Sequence, residues 1–194
     1  MCGIVAASGK RNVIPILMDG LQRLEYRGYD SAGIAVLENN AITRIRKQGK
    51  VGELHKEIEK NKTLTSKNGI AHTRWATHGE PSTTNAHPHT SGDEFSNDEI
   101  ALVHNGIIEN YIDLKELQIK QGYEFTSETD TEVIAHAIES ANKPSDSLFK
   151  ATQKAIKTLN GSYGIGVLSS KYPDQIIAAR KGSPLVIGIG DNGN

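Results

Sequence analysis

Cysteine is almost missing from this sequence: Cys2 is the only one in 194 residues. A lone thiol excludes an internal disulfide framework and fits a reducing, cytoplasmic setting. Charge of one sign is missing too, since 22 Lys+Arg face 23 Asp+Glu for a formal net charge of -1. That balance supplies no basic stripe, so nucleic acid is not an expected partner. Long hydrophobic runs are also lacking: stretches such as Leu185 to Ile189 fall far short of the roughly 18 residues a membrane span needs. The apolar Gly3 to Ala7 has no basic segment before it and is too short for the core of a signal peptide, so none is expected. No internal repeat or low-complexity tract is visible. What is present is ordinary for a globular chain. The hydrophobic fraction is 37%, with 19 Gly, and the length suits one domain with a substantial core.

The pattern along the chain predicts a strand at Cys2 to Ala7, then a helix marked by Val13, Leu17, Leu21 and Leu24 and ended by Gly28. Gly33 to Leu37 and Ala41 to Arg46 flank Glu38-Asn39-Asn40 and predict a hairpin. Val51, Leu54 and Ile58 mark a short helix. Strands are expected at Ile70 to Trp75 and Ile100 to His104, separated by the polar stretch Gly79 to Asp98. A loop of that length in a compact domain is more often functional than idle. Helices follow at Glu109 to Gln121, at Thr131 to Asn142, where Thr129 and Glu132 have capping-box spacing, and at Ser147 to Leu159. Strands return at Tyr163 to Leu168, Gln175 to Ala179 and Leu185 to Ile189. Strands, clustered helices and strands again favour an α+β layered sandwich over a doubly wound parallel sheet. The ending just after an apolar strand suggests a chain cut from something longer.

Cys2 is the first candidate for chemistry. Once Met1 is removed, it carries both a thiol with a pKa near about 8.5 and an α-amino group at about 7.7 to 8.0, nucleophile and base in one residue. On position alone, Cys2 reads more readily as a small buried residue of the first strand. The block His72-Thr73-Arg74-Trp75-Ala76-Thr77-His78-Gly79-Glu80-Pro81 runs a strand into concentrated polar residues. Arg74 there could fork onto a carboxylate or serve as a structural ion-pair partner. His104-Asn105-Gly106 closes another apolar run, where the Asn105 amide and the Gly106 N–H could form an oxyanion hole. Locally, Asn-Gly reads better as a turn. Ser127 to Glu132 is a helix start, and Asp130 in it could also bind a substrate ammonium group.

Taken together, Cys2-Gly3-Ile4-Val5, Arg27-Gly28-Tyr29-Asp30-Ser31-Ala32-Gly33, His72 to Pro81, Asn85-Ala86-His87-Pro88-His89, His104 to Asn110 and Ser127 to Glu132 fall in an order that closely resembles the class II glutamine amidotransferases. The wording of the second and third blocks resembles the glutaminase domains of the glucosamine-6-phosphate synthase branch; the purine branch typically has Gln at the place of Tyr29 and Tyr at that of Trp75. The resemblance implies an N-terminal nucleophile hydrolase fold, a four-layer αββα sandwich, over residues 1–194, truncated at its C-terminal end. It implies Cys2 as nucleophile, Asn105 and Gly106 as oxyanion hole, and Arg74 and Asp130 as ligands of the α-carboxylate and α-amino group of L-glutamine. Thr77 and His78 would line the pocket, Arg27 would support the nucleophile region, and Trp75 would gate ammonia. No cofactor is implied. Fructose 6-phosphate would be met only through an isomerase part absent here, which would also carry the homodimer contacts, leaving this fragment a possible monomer. A different class of reading is a module that binds glutamine without cleaving it.

Seven His, five of them between His72 and His104, raise the question of a metal. His87 and His89 stand two apart, but no second Cys and no Asp or Glu at a recurrent ligand spacing accompanies them, so no metal is expected.

Overall fold

The computed structural model describes residues 2–61, 63–92, 99–143 and 146–190. Among these residues eight strands form two four-stranded antiparallel sheets. The first contains β1 (Gly3–Ser8), β2 (Ser31–Glu38), β3 (Ala41–Gln48) and β4 (Asn68–Arg74) in the order β1-β4-β2-β3. The second contains β5 (His89–Ser91), β6 (Ile100–Ile108), β7 (Gly161–Ser169) and β8 (Ile176–Lys181) in sequence order. Helices α1 (Ile14–Leu24) and α2 (Val51–Lys60) cover the first sheet, whereas α4 (Glu132–Ala141) and α5 (Leu148–Ala155) cover the second, with α3 (Tyr111–Lys120) beside α4.

Strand alternation sorts side chains into three cores, because successive residues face opposite sides of a sheet. Ile34 and Val36 of β2 pack under α1 and α2 with Leu17, Leu21 and Leu54, while Ala35 and Leu37 point the other way. Ile100 and Leu102 of β6 pack under α4 and α5 with Val133, Ile134, Ile138 and Leu148. Ala35, Leu37 and Ile70 of one sheet meet Ala101, Val103 and Leu168 of the other in the layer between them. The result is the four-layer αββα sandwich. Each fully buried Leu, Ile or Val contributes roughly 1.5–3 kcal/mol, so the flanking cores dominate the stabilisation. The intersheet layer is thinner in side chains and gives way to polar groups at one end.

Several elements match the sequence pattern closely. Asn39 and Asn40, at φ 51° and 61°, close the β2–β3 hairpin as a two-residue turn of the left-handed kind that Asn tolerates. Ser147 caps α5 by accepting the Lys150 N–H at 3.3 Å. Four expectations are corrected. His104-Asn105-Gly106 is not a turn, because β6 continues to Ile108, paired throughout with β7. Thr129 and Glu132 form no capping box: Glu132 is itself the first helical residue and reaches back to the N–H groups of Thr126 and Ser127. Leu185 to Ile189 is no strand; it pairs with no other described strand, and Val186 and Ile189 stand 90% and 93% exposed. The polar stretch from Gly79 is not loop throughout. Asn85, Ala86, His87, His89 and Ser91 are buried, and His89–Ser91 forms β5. The remainder of that stretch, residues 93–98, and the chain end at 191–194 lie outside the described residues.

Candidate active site

Alternation also decides which polar side chains meet. Ile70 of β4 lies in the intersheet core, so His72 and Arg74 follow it on the same face. Ala101 and Val103 put Asn105 of β6 on the facing surface of the other sheet. Ile4 of β1 packs in the same layer and places Cys2, two residues earlier, in step with it. The Asn105 Nδ2 donates to the Cys2 carbonyl at 3.3 Å, and the Asn105 Oδ1 lies 2.8 Å from His72 Nε2. Residues 2, 72, 74 and 105 therefore converge where the apolar layer ends.

The Cys2 thiol faces the chain just beyond β4. The Trp75 N–H donates to Sγ at 3.3 Å, and the Trp75 carbonyl lies 3.6 Å from the same sulfur. Burial pushes the thiol's pKa above its ordinary value, and the Trp75 hydrogen bond and the Arg74 charge only partly counter it. At neutral pH Cys2 is consequently a thiol, so a nucleophilic role requires a proton acceptor. Trp75 itself is 52% exposed, with its ring against Gly28, where a Cβ would come within 2.6 Å of Cζ3.

Arg74 is 3% exposed and holds the segment after β4. Its guanidinium donates to the carbonyls of His78, of Gly79 at 3.0 Å and of Glu80 at 3.4 Å, and its Nη1 lies 3.7 Å from Asp30 Oδ1. Asp30 also accepts the Ala76 N–H, while its own N–H donates to the Arg74 carbonyl at 2.7 Å. Thr77, exposed, and His78, partly buried with its ring 5.3 Å from that of Tyr111, lie on the bend fixed in this way. Asp130 is 4% exposed and accepts the Ile108 N–H at 2.8 Å, which ties the approach to α4 onto the end of β6. Gly106, exposed beside Asn105, has φ +140°. Arg27 is half-buried in the 3-10 turn Glu25–Arg27 that follows α1.

Behind Asn105 stands a group of buried imidazoles. The His104 N–H donates to His87 Nδ1 at 3.3 Å, so His87 carries its proton on Nε2 and donates it to Thr131 Oγ1 at 3.4 Å. The Thr131 hydroxyl is then free to donate to His104 Nδ1 at 3.0 Å. His72 stacks on His87 with ring centroids 4.2 Å apart, and His89 meets His87 edge-on at 4.7 Å. Burial lowers the pKa of all four, that of His72 to about 3, so they are neutral. His87 and His89 are thus committed to ring packing and hydroxyl contacts. Among the described residues no group of three or more His, Cys, Asp or Glu is placed to hold a metal ion, and no helix is long and apolar enough to cross a membrane.

Sequence reasoning passed over His72 as a partner of Asn105 and Asp30 as the brace of the Arg74 corner. The signal for His72 was its parity with Ile70. For Asp30 there was none, because its partners lie more than 40 residues away.

An αββα sandwich that opens on a strand preceded by Cys2, with an Asn from the second sheet against that Cys, has the architecture of an N-terminal nucleophile hydrolase. The chain belongs to the glutamine amidotransferase domain family, which its residues 72–192 match. It is 56% identical over 98% of its length to a glutamine–fructose-6-phosphate aminotransferase (isomerizing) of Haemophilus influenzae, and 53% identical over 98% to one of Pseudomonas aeruginosa. It spans 30% of the length of each of these relatives. Among solved structures it resembles the glutamine phosphoribosylpyrophosphate amidotransferase of B. subtilis, with a TM-score of 0.71 and 28% identity over 87% of this chain and 35% of that one. A glutamine aminotransferase class-II domain protein of Silicibacter pomeroyi shares the fold at a TM-score of 0.61 and 15% identity, over 96% of this chain and 79% of that one.

Proposed function

We propose that this chain hydrolyses the side-chain amide of L-glutamine to glutamate and ammonia. With Met1 removed, the α-amino group of Cys2 accepts the thiol proton, through a water, as Sγ adds to the amide carbon. The oxyanion that forms is held by Asn105 Nδ2 and the Gly106 N–H. Collapse of the tetrahedral adduct breaks the C–N bond, and the accepted proton leaves with ammonia. Water then attacks the γ-glutamyl thioester, releasing glutamate and restoring the thiol. Arg74 binds the α-carboxylate, which replaces the long contact to the Glu80 carbonyl, and Asp130 binds the α-ammonium group. Thr77 and His78 line the pocket, Arg27 supports the nucleophile region and Trp75 gates the departing ammonia.

The observation that carries this reading is the meeting of Cys2 and Asn105, delivered from opposite sheets to one point. The activity for which the relatives are named extends it. In the longer protein the ammonia would aminate fructose 6-phosphate in a part that residues 1–194, the glutaminase domain, do not include; assembly as a homodimer would reside in that part, with this fragment monomeric and the whole protein cytoplasmic.

The test is turnover of glutamine by the purified chain, with intact mass measured on the same sample. Glutamate and ammonia should appear in equal amounts from the form lacking Met1, and Cys2→Ala should abolish both. A diazo-ketone analogue of glutamine should label Cys2 alone. Glutamine binding without turnover by the form lacking Met1 would instead assign a sensing module and overturn the proposal.

A further inference from the structure

Of the buried imidazoles to which the assigned chemistry gives no task, His72 alone among the described contacts touches the Asn105 amide. His72 is 0% exposed, and its Nε2 faces two oxygens at once, the His104 carbonyl at 3.0 Å and Asn105 Oδ1 at 2.8 Å. We propose that His72 is the positioning residue of the oxyanion hole, a fixed donor whose tautomer decides which end of the Asn105 amide faces Cys2. The inference rests on the glutaminase reading and adds to it the residue on which Asn105 depends.

Donors and acceptors fix the tautomer of His72. A backbone carbonyl can only accept, so the His104 carbonyl requires the proton of the neutral imidazole to sit on Nε2. A protonated Nε2 in turn requires the Asn105 atom opposite it to be the oxygen, because the amide nitrogen has no lone pair to offer. The amide nitrogen is thereby turned the other way, where it donates to the Cys2 carbonyl at 3.3 Å. With a proton on Nδ1 instead, the same ring would favour the flipped amide and present an acceptor to a developing oxyanion. Among the described residues nothing competes for the choice, since His72 Nδ1 is buried with no hydrogen-bond partner there. The ring plane is held by the stack on His87, whose own tautomer is set by the His104 N–H. Burial pushes the His72 pKa down to about 3, so the ring stays neutral across the working range and cannot act as acid or base. Its contribution is therefore orientation, which matters because an oxyanion donor helps only when aimed before the charge develops.

His72→Phe keeps a ring to stack on His87 and removes the donor, whereas His72→Gln keeps an amide N–H. His72→Phe should lower kcat roughly 10- to 100-fold, less than the 10²–10³ expected for deleting an oxyanion donor outright. The KM for glutamine should stay within about 3-fold, because the ground state makes little use of the oxyanion hole. His72→Gln should recover most of the loss. In an Asn105→Ala background His72→Phe should add almost nothing, since the residue acts only through that amide. An equal loss in both backgrounds, or an unchanged kcat in folded His72→Phe, would overturn the proposal. A second measurement stands apart from activity and from variant folding: ¹⁵N shifts of the His72 ring in the unmodified chain between pH 5 and 8. The expected spectrum is a non-titrating Nε2–H tautomer; a proton on Nδ1, or titration in that range, refutes the positioning role. An unmodified chain that shows this tautomer yet cleaves no glutamine would remove the glutaminase reading while leaving the orientation of Asn105 in place.

Discussion

Gly106 of β6 and Ser162 of β7 approach backbone to backbone: a Cβ on Gly106 would lie 2.0 Å from the Ser162 carbonyl oxygen. The obstructing atom belongs to the main chain of a paired strand, so no rotamer change relieves it, and φ +140° is itself a glycine conformation. Gly106→Ala should therefore destabilise the fold by about 3 kcal/mol, the upper range of ordinary substitutions. For a chain of this size that lowers Tm by roughly 6–12 °C. Turnover at a temperature where the variant is still folded should fall as well, because the strand that yields carries Asn105. An unchanged melting temperature would show that the two strands do not approach this closely.

Asn105 and Arg74 should fail in different ways. Asn105→Ala removes a donor used in the transition state, so kcat should drop by 10²–10³, about 2.7–4 kcal/mol, with little change in KM. Arg74→Ala removes a charge-assisted contact to the substrate carboxylate and should raise KM roughly 10- to 150-fold. It should also lower Tm, because three carbonyls from His78 to Glu80 lose their common donor. Steady-state kinetics and thermal melts on both variants test the division. The same kinetic pattern in the two would mean that they do not serve separate steps.

Five buried imidazoles, the four behind Asn105 and His136 of α4, make stability depend on pH. Each has a folded-state pKa below its ordinary 6.5, so below that pH the unfolded chain binds protons that the folded chain refuses. Their contribution is complete above about pH 6.5 and is lost as pH falls from there towards the folded value, about 3 for His72. Each group contributes a slope of up to about 1.4 kcal/mol per pH unit. Urea midpoints should accordingly be flat from pH 8 to 7 and fall steeply from pH 6 to 5. His89→Gln should reduce the slope in that window. Midpoints unaltered down to pH 5 would contradict neutral burial of these rings.

Cys2, Arg74 and Asn105 were legible from the ordered motif blocks; period-2 parity, which puts Cys2 with Ile4, His72 and Arg74 with Ile70, and Asn105 with Val103, explains why they meet. The apolar run of β6 stops at Val103, however, while the strand continues to Ile108. Side-chain polarity there reports the functional site, and hydrogen bonding to β7 maintains the strand; the two signals part company where Asn-Gly looked like a turn. Leu185 to Ile189 fails for the opposite reason. Its composition suits a strand, but a strand also needs a neighbour, and composition does not say whether one is within reach. The Asn85 to Ser91 segment was legible as unusual and not as buried, since its burial depends on hydroxyls and imidazoles satisfying one another across distant elements.

Before glutamine arrives the nucleophile rests as a thiol. Burial raises the Cys2 pKa above its ordinary value, so simple alkylation by iodoacetamide, which requires thiolate, should still be accelerating well above neutral pH. Glutamine turnover has a different requirement. If the α-amino group of Cys2 removes the proton during attack, kcat/KM should level off once that amine is neutral, near its pKa of about 7.7–8.0. The alkylation profile, measured on the form that keeps Met1, should lie at higher pH than the turnover profile of the form lacking it. Retention of Met1 converts the amine to an amide, so the turnover limb should disappear while the alkylation profile persists. Coincident profiles would show that thiolate forms before substrate binds, and the amine would then have no part in the attack.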